Sequence, residues 1–207
     1  MSAECAVGLD LIALELLTGL RQVEVRELRW SKVYLEKAEW EEEDANGPFF
    51  ETMLSKQKKM FGVPITKYMK AIFQRRLKHR QNDYVFPSWM NKSKPLSEDR
   101  HPFSVMKKVM PLSSLRKTDA LSSNVLRHTF ATHGQTVLRN GQLVDMLTGH
   151  YTKHQRGVAT YRYVHLEADA HRPHFEEVND FLMRQHPMTD ELEKYLDELD
   201  AEGHDFE

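Results

Sequence analysis

The chain has 207 residues, of which 40% are hydrophobic, a net charge of −2 and a single cysteine. This length and hydrophobic content exclude disorder throughout and allow one large domain or two small ones. One cysteine excludes an internal disulfide, and no cysteine–histidine cluster has metal-ligand spacing. The chain contains no apolar run near the roughly 20 residues that cross a bilayer, and no signal peptide opens it. We expect a cytoplasmic protein with metal-free chemistry and no membrane partner.

The charges are unevenly distributed. Residues 188–207 carry nine acidic side chains against the single Lys194, a net charge of −8, which leaves +6 on residues 1–187. A basic body fits a polyanion such as DNA, although a modest surplus also fits a solvated surface. We therefore predict a basic domain over residues 1–187 and an acidic tail over residues 188–207.

The first segments read as helices. Residues Cys5–Thr18 carry apolar side chains at helical spacing, and Gly19 stands where a left-handed residue ends a helix. Arg21 and Glu24 then lie one helical turn apart. The side chains expected to face the core here are Val23, Leu28 and Trp30. An arginine at a helix start is more often a surface residue, so Arg21 alone indicates no function.

Three short strands are predicted next. Residues Val33–Glu42 alternate loosely between β-branched or aromatic and charged side chains, and Asn46-Gly47-Pro48 separates them from the strand FFETML. The turn SKQKK and the strand MFGVPI follow. This pattern predicts a small antiparallel sheet in a mainly helical α+β domain, with Lys56 near its second turn.

A basic amphipathic helix is predicted over Thr66–Arg80, followed by a surface loop over Gln81–Arg100 that is anchored by Val85-Phe86-Pro87. The inward residues of the helix are expected to be Tyr68, Met69, Ile72, Phe73 and Leu77. Its basic residues, which face either DNA or solvent, are Lys67, Lys70, Arg75, Arg76 and Lys78. A further short helix is predicted over His101–Met110, and residues Pro111–Ser122 then form a connection.

The next helix is capped by Ser122 or Ser123 and places Arg127 near its positive end, where a phosphate binds favourably. Its inward residues are expected to be Val125, Leu126, Phe130 and Ala131. A helix over Gly141–Leu147 ends at Thr148-Gly149, directly before His150. We expect an extended or short helical segment at Val158–His165 and a final amphipathic helix over His174–Gln185.

Chemically informative side chains gather between Asn124 and His165. Arginine offers a planar fork of donors to a phosphate, histidine exchanges protons, and a tyrosine hydroxyl is a possible nucleophile. Arg127, His150, Tyr161 and Tyr163 therefore suit attack on a phosphodiester.

Five segments in this order resemble the catalytic domain of the tyrosine recombinases, also called the phage integrase family. They are TGLRQVE, SKQKKMFGVPI, NVLRHTFATH, LTGH and YRYVHL. The resemblance covers about residues 5–184 and implies that family's DNA breaking–rejoining fold. It also implies a bacterial or phage-encoded protein of the cytosol or nucleoid.

The resemblance assigns roles residue by residue. Arg21 and Arg127 match the family's two phosphate-binding arginines, and Glu24 matches a supporting acid. Lys56 matches the lysine that protonates the departing 5′ oxygen, because it precedes the Val63-Pro64 pair by seven residues. His150 matches the late histidine that helps to hold the phosphate. Tyr163 resembles the nucleophile, and Tyr161 is the alternative.

Two departures from the family pattern concern activity. Asn124 stands where the family usually has a histidine, and an amide hydrogen-bonds a phosphate without shuttling a proton in the same way. The interval from His150 to Tyr163 is a few residues longer than is usual in the family. The family's N-terminal DNA-clamping domain has no counterpart in this sequence, so we expect a fragment or an unusually short protein.

The resemblance implies site-specific recombination or integration on double-stranded DNA through a 3′-phosphotyrosyl intermediate, with no cofactor and with self-association during synapsis. A phage or mobile element is the implied source. A DNA-binding relative that has lost chemistry is one alternative, which Asn124 motivates. Type IB topoisomerase activity is the other, since such enzymes share the tyrosine and the arginines.

Overall fold

The structure is a computed structural model that describes residues 3–36, 47–88, 91, 93–96, 122–150 and 164–185. The described helices are α1 Ala3–Thr18, α2 Gln22–Arg26, α3 Lys67–Lys78, α4 Ser123–Leu138, α5 Gly141–Leu147 and α6 Val164–Arg184. A 3₁₀ turn spans Trp30–Lys32, and the strands are β1 Val33–Tyr34, β2 Phe49–Leu54 and β3 Lys59–Pro64. The predicted fold class, mainly helical with one small sheet, is confirmed.

The sheet is antiparallel with strand order β1-β2-β3. Phe50 of β2 lies opposite Val33 on one side and Val63 on the other, and all of β2 pairs with β3. Phe50 and Val63 are fully buried, whereas Met53 is half exposed. The sheet therefore packs one face on the core, as an antiparallel sheet of this size commonly does.

The core lies between the sheet and the helices. Helix α6 packs against β3, and α4 packs against both α1 and α6. The largest fully buried side chains include Phe50, Phe61, Phe73, Phe130 and Phe175. Phe130 of α4 and Phe175 of α6 are in ring contact, with centroids 5.7 Å apart. This packing fixes the ends of α1, α4 and α5 relative to the β2–β3 turn.

Helix α3 corrects the predicted inward face at its last turn. Leu77 is 43% exposed, whereas Arg76 is 5% exposed. The physical reason is Asp10, a buried carboxylate on α1 whose Oδ2 lies 3.1 Å from Arg76 Nε. Arg75 donates to the same carboxylate through Nε at 3.0 Å. Because a buried carboxylate requires partners, the ion pairs rotate the end of the helix away from the expected register.

Helix α6 begins at Val164, ten residues before the predicted start at His174, and it contains Pro173. A proline inside a helix removes one backbone hydrogen bond and commonly kinks or ends the helix. The helix passes through it because Arg172 is fixed on the sheet side, where it donates to the carbonyls of Pro48 at 3.0 Å and Ile65 at 3.3 Å. Packing contacts of this kind compensate for the one backbone bond that proline removes.

Smaller differences concern the core-facing residues. In α2 the buried valine is Val25, and Val23 is only partly covered. In α4, Leu126 and Phe130 are buried as predicted, but Val125 is 37% exposed and Ala131 is half-buried. Both helices therefore bury fewer of these side chains than the sequence predicted.

Several predictions lie wholly or partly outside the described residues. They are the strand beyond residue 36, the helix His101–Met110, the connection Pro111–Ser122, most of Val158–His165 and the acidic tail. The domain boundary at residue 187 stays a prediction for the same reason. In the described part of the chain, no helix has the length and apolar character needed to cross a membrane.

The buried ion pairs at Asp10 give a stability prediction. Asp10→Ala leaves Arg76 without its carboxylate, and loss of one partner from a buried pair costs about 3–5 kcal/mol. We expect the free energy of unfolding, measured in urea, to fall by about that amount. Lys67→Ala is the matched control, because the Lys67–Asp180 pair is exposed at its lysine end and should contribute at most about 1 kcal/mol. Equal losses for the two variants would contradict this assignment.

Candidate active site

Arg21 is the residue immediately before α2, and Glu24 holds it in place. Its backbone is extended, with φ −74° and ψ 146°. The Glu24 carboxylate accepts the Arg21 backbone N–H at 3.0 Å, as the third helical residue does in a capping box. It also accepts Nη1 of the Arg21 guanidinium at 3.2 Å. Glu24 therefore fixes both the backbone and the charged end of Arg21.

The same carboxylate holds the β2–β3 turn. Glu24 is 2% exposed, and its Oε1 accepts from the Ser55 backbone N–H at 2.9 Å and from Ser55 Oγ at 2.8 Å. Thr52 Oγ1 donates to the Glu24 carbonyl at 2.7 Å. A buried carboxylate with this many donors is well compensated. The start of α2 and the β2–β3 turn consequently form one unit.

Arg127 lies in the second turn of α4, and its side chain reaches the C-terminal ends of two neighbouring helices. Nη1 donates to the Gly19 carbonyl at 2.6 Å, and Nη2 donates to the Thr148 carbonyl at 2.8 Å. Burial, followed by the positive charge of Arg21, lowers the pKa of Arg127 to about 10. The guanidinium is still charged at neutral pH. Arg127 therefore brings a partly desolvated positive charge to the point where α1 and α5 end.

His150 lies beside Arg21. It follows Gly149, whose φ of +68° turns the chain at the end of α5, as a glycine after a helix commonly does. His150 Nε2 is 3.0 Å from Arg21 Nη2. Since a guanidinium only donates hydrogen bonds, Nε2 accepts and the imidazole proton is assigned to Nδ1. Nδ1 lies 3.8 Å from Asp145 Oδ1.

The surrounding positive charges favour neutral His150. Its pKa is lowered from the ordinary 6.5 by partial burial first, then by Arg127, Arg21 and Lys56, while Asp145 acts in the opposite direction. At neutral pH the imidazole can therefore accept a proton. It is the described group of this cluster that combines a neutral state with proton-accepting capacity.

Lys56 is exposed in the β2–β3 turn, between two residues that are bonded to the site. Ser55 before it donates to Glu24, and Gln57 Nε2 after it donates to the Gly149 carbonyl at 2.8 Å. Lys58 adopts a left-handed φ of +54°, and Lys59 already belongs to β3. Of the three turn lysines, Lys56 is the one flanked by residues that contact the Arg21 and His150 segments.

The structure thus brings together Arg21, Glu24, Lys56, Arg127 and His150. Asn124 is exposed in the first turn of α4, one helical turn before Arg127. Tyr161 and Tyr163 lie outside the described residues, so the choice between them stays a prediction. Nothing in the described segments groups three or more side chains that could hold a metal ion.

Sequence reasoning missed four contributors: the side chains of Ser55 and Gln57 and the carbonyls of Gly19 and Thr148. Ser55 and Gln57 lie in the segment SKQKK, for which the sequence predicted only a turn. The one available signal was their position on either side of Lys56. The Gly19 and Thr148 carbonyls lie at the predicted C-terminal ends of two helices, where carbonyls without helical partners are expected.

The arrangement is suited to an anion. Three permanent positive charges, from Arg21, Arg127 and Lys56, surround a neutral imidazole, and Glu24 supplies a buried negative charge behind them. Arginine guanidinium groups match a phosphate in shape and charge. The site can therefore stabilise negative charge that develops on a phosphoryl group.

Solved structures similar to this chain include two complexes of a site-specific recombinase. One is the XerH site-specific recombinase bound to difH substrate in a pre-cleavage complex, with a TM-score of 0.57 and 21% identity over 75% of this chain and 43% of that chain. The other is XerH bound to palindromic difH substrate in a post-cleavage complex, with a TM-score of 0.57 and 20% identity over 84% of this chain and 46% of that chain. At this identity the likeness is one of fold, and it spans less than half of each XerH chain.

A comparison with protein-family models agrees with this fold. No curated protein matches the chain. The model of the phage integrase family matches residues 5–169, which is well over half of the sequence. This chain belongs to the phage integrase family.

Proposed function

We propose that this chain cleaves and rejoins DNA at specific sites as a tyrosine recombinase. The observation that carries the proposal is the convergence of Arg21, Arg127 and His150, with the Lys56 turn bonded to the same segments. These groups come from four separate parts of the chain. If the cluster served only to stabilise the fold, apolar residues would serve better.

The two arginines would bind the scissile phosphate. Attack on a phosphodiester passes through a crowded phosphorane that carries more negative charge than the substrate. Arg127 is held by two carbonyls and Arg21 by Glu24, so both charges are preorganised and need little rearrangement during the reaction. Because a phosphate oxygen is charged, it is a stronger acceptor for Arg21 than the neutral His150 imidazole.

A tyrosine would be the nucleophile, with Tyr163 favoured over Tyr161. Its oxygen forms a bond to phosphorus while the bond from phosphorus to the 5′ oxygen breaks, which leaves a 3′-phosphotyrosyl DNA and a 5′ hydroxyl. The tyrosine proton must leave because a phenol with a pKa near 10 is a weak nucleophile at neutral pH. Neutral His150 can receive that proton, and Lys56 can supply the one that the 5′ oxygen takes up.

The covalent intermediate conserves the ester bond. A 5′ hydroxyl from a second DNA end can attack it and reverse the chemistry, so the reaction needs no ATP. Double-stranded DNA is the proposed partner, and copies of the chain are proposed to associate on it during synapsis. We place this activity in the bacterial cytoplasm, with integration or excision of a phage or another mobile element as its setting.

Asn124 supports a second candidate function. It occupies an exposed position one turn before Arg127, where the family usually has a histidine, and an amide cannot exchange protons at neutral pH. A relative that binds DNA without cutting it would retain Arg21 and Arg127 while losing proton transfer. This second candidate predicts DNA binding with no covalent product.

The test is trapping of the covalent intermediate. We expect the full chain, incubated with a pool of nicked suicide duplexes of randomised sequence, to form an adduct that survives denaturation. The nick lets the short fragment that carries the new 5′ hydroxyl diffuse away, so the reverse reaction cannot occur. Peptide mapping of the adduct should identify Tyr163, and Tyr163→Phe should abolish it because the attacking oxygen is gone.

Tyr161→Phe is the matched control, two residues away, and should keep the adduct. An adduct that maps to Tyr161 would reverse the assignment of the nucleophile. DNA retention by the unmodified chain with no adduct from any duplex in the pool would support the binding function instead.

Arg127→Lys tests the arginine site. A lysine ammonium cannot span the Gly19 and Thr148 carbonyls and also present a planar fork to a phosphate. We expect the adduct rate at saturating DNA to fall by about 10²–10³-fold, as when one preorganised donor is removed from a catalytic site. Arg139→Lys, at the exposed end of the same helix, should change the rate less than about twofold. Circular dichroism would verify that both variants fold.

His150 should couple proton binding to anion binding. Because its pKa is below 6.5 in the folded chain, the unfolded chain binds more protons just below that pH. Its contribution to stability is therefore present above pH 6.5 and is lost as the pH falls. In an NMR titration we expect the His150 midpoint below 6.5, and a higher midpoint with sulfate, whose charge offsets Arg21 and Arg127. His150→Gln identifies the signal, and an unchanged midpoint in sulfate would contradict anion binding at this site.

A further inference from the structure

Gln57 is the contact between the Lys56 turn and the His150 segment. Its Nε2 donates to the Gly149 carbonyl at 2.8 Å, across 92 residues of sequence. Gly149 is buried and directly precedes His150, and its φ of +68° fixes the direction in which His150 leaves α5. A single side chain therefore connects the residue after Lys56 to the residue before His150.

The other side of Lys56 is held differently. Ser55 donates through both its backbone N–H and its hydroxyl to Glu24, which in turn holds Arg21. The turn is thus fixed to the Arg21 segment by its first residue and to the His150 segment by its third. Lys56 itself is exposed, so its position depends on these two neighbours rather than on packing of its own side chain.

The amide of Gln57 is not explained by stability alone. Its Oε1 is buried and has no hydrogen-bond partner among the described residues. A buried acceptor in this state costs free energy that a methionine of similar volume would avoid. Retaining an amide here is reasonable if the bond from Nε2 to Gly149 serves the site.

We propose that Gln57 is a positioning residue that aligns Lys56 with the scissile phosphate by bonding the β2–β3 turn to Gly149. The inference rests on the proposed function, because it assigns Lys56 the protonation of the leaving oxygen. Gln57 acts through Lys56 and does not itself contact the reacting atoms.

A sulfur-substituted substrate separates this role from a general structural one. In a duplex with a 5′-bridging sulfur, tyrosine attack breaks a phosphorus–sulfur bond and the sulfur leaves as a thiolate. A thiol has a pKa near 8.5, far below the pKa of water, which resembles an alcohol in this respect. The thiolate leaves without a proton, so the reaction with sulfur does not need Lys56.

We expect Gln57→Met to slow adduct formation on the oxygen substrate about tenfold and to react at the wild-type rate on the sulfur substrate. Lys56→Met should show the same pattern with a larger loss, and adding Gln57→Met to it should cause no further loss, since residues acting as one unit are non-additive. Gln135→Met, an exposed glutamine on α4, is the matched control. Equal slowing on both substrates would overturn the proposal.

A second measurement needs no DNA chemistry. Lys56 is among the positive groups that lower the pKa of His150, together with Arg127 and Arg21 and against Asp145. Gln57→Met should raise the His150 midpoint in an NMR titration by letting the Lys56 charge move away, and should have no effect in a Lys56→Met background. A shift that persists without Lys56, or no shift at all, overturns the positioning role. If Gln57→Met shifts the His150 midpoint as expected but the wild-type chain cleaves neither substrate, the result contradicts the proposed function and leaves the positioning of Lys56 intact.

Discussion

The buried carboxylate of Glu24 is the interaction on which the candidate site depends. It accepts hydrogen bonds from the Arg21 backbone, the Arg21 guanidinium, the Ser55 backbone and the Ser55 hydroxyl. Concentrating Arg21, Arg127 and Lys56 in one place would otherwise be opposed by mutual repulsion. A buried negative charge behind them offsets that repulsion at short range, where solvent screening is weak. The same contact joins the start of α2 to the β2–β3 turn.

Two glycines allow the ends of α1 and α5 to lie beside Arg127. At Gly19 and Gly149 the backbone is left-handed, and an added Cβ would lie 2.4 Å from Phe130 and 2.6 Å from Leu54. Both neighbours are fully buried core residues. The helix ends that supply carbonyls to Arg127 therefore pack directly against the hydrophobic core. The packing of the core in turn determines where the Arg127 guanidinium lies.

The parts of this arrangement that follow from local rules were predictable from sequence. Gly19 and Gly149 end helices as the pattern indicated, and α5 spans Gly141–Leu147 as predicted. Predictions failed where distant residues decide, as at Arg76, which turns inward toward Asp10 across 66 positions. Pro173 inside α6 is a similar case, because sheet contacts outweigh a local helix breaker. Ser55 and Gln57 contact the site across 31 and 92 residues, a distance that periodicity does not register.

The charge arrangement also links proton binding by His150 to anion binding at the site. With no anion nearby, the positive groups keep its imidazole neutral and able to accept a proton. In the proposed reaction, a bound phosphate would draw Arg21 toward itself and cancel part of the positive field, which would make the imidazolium easier to form. Under this proposal, proton acceptance by His150 would be easiest when the phosphate is bound. Asn124 is an amide where the family usually has a titratable imidazole, so within the described site the proposed proton transfer would fall on His150. Its accuracy would then depend on how firmly Gly149 and the β2–β3 turn hold the imidazole.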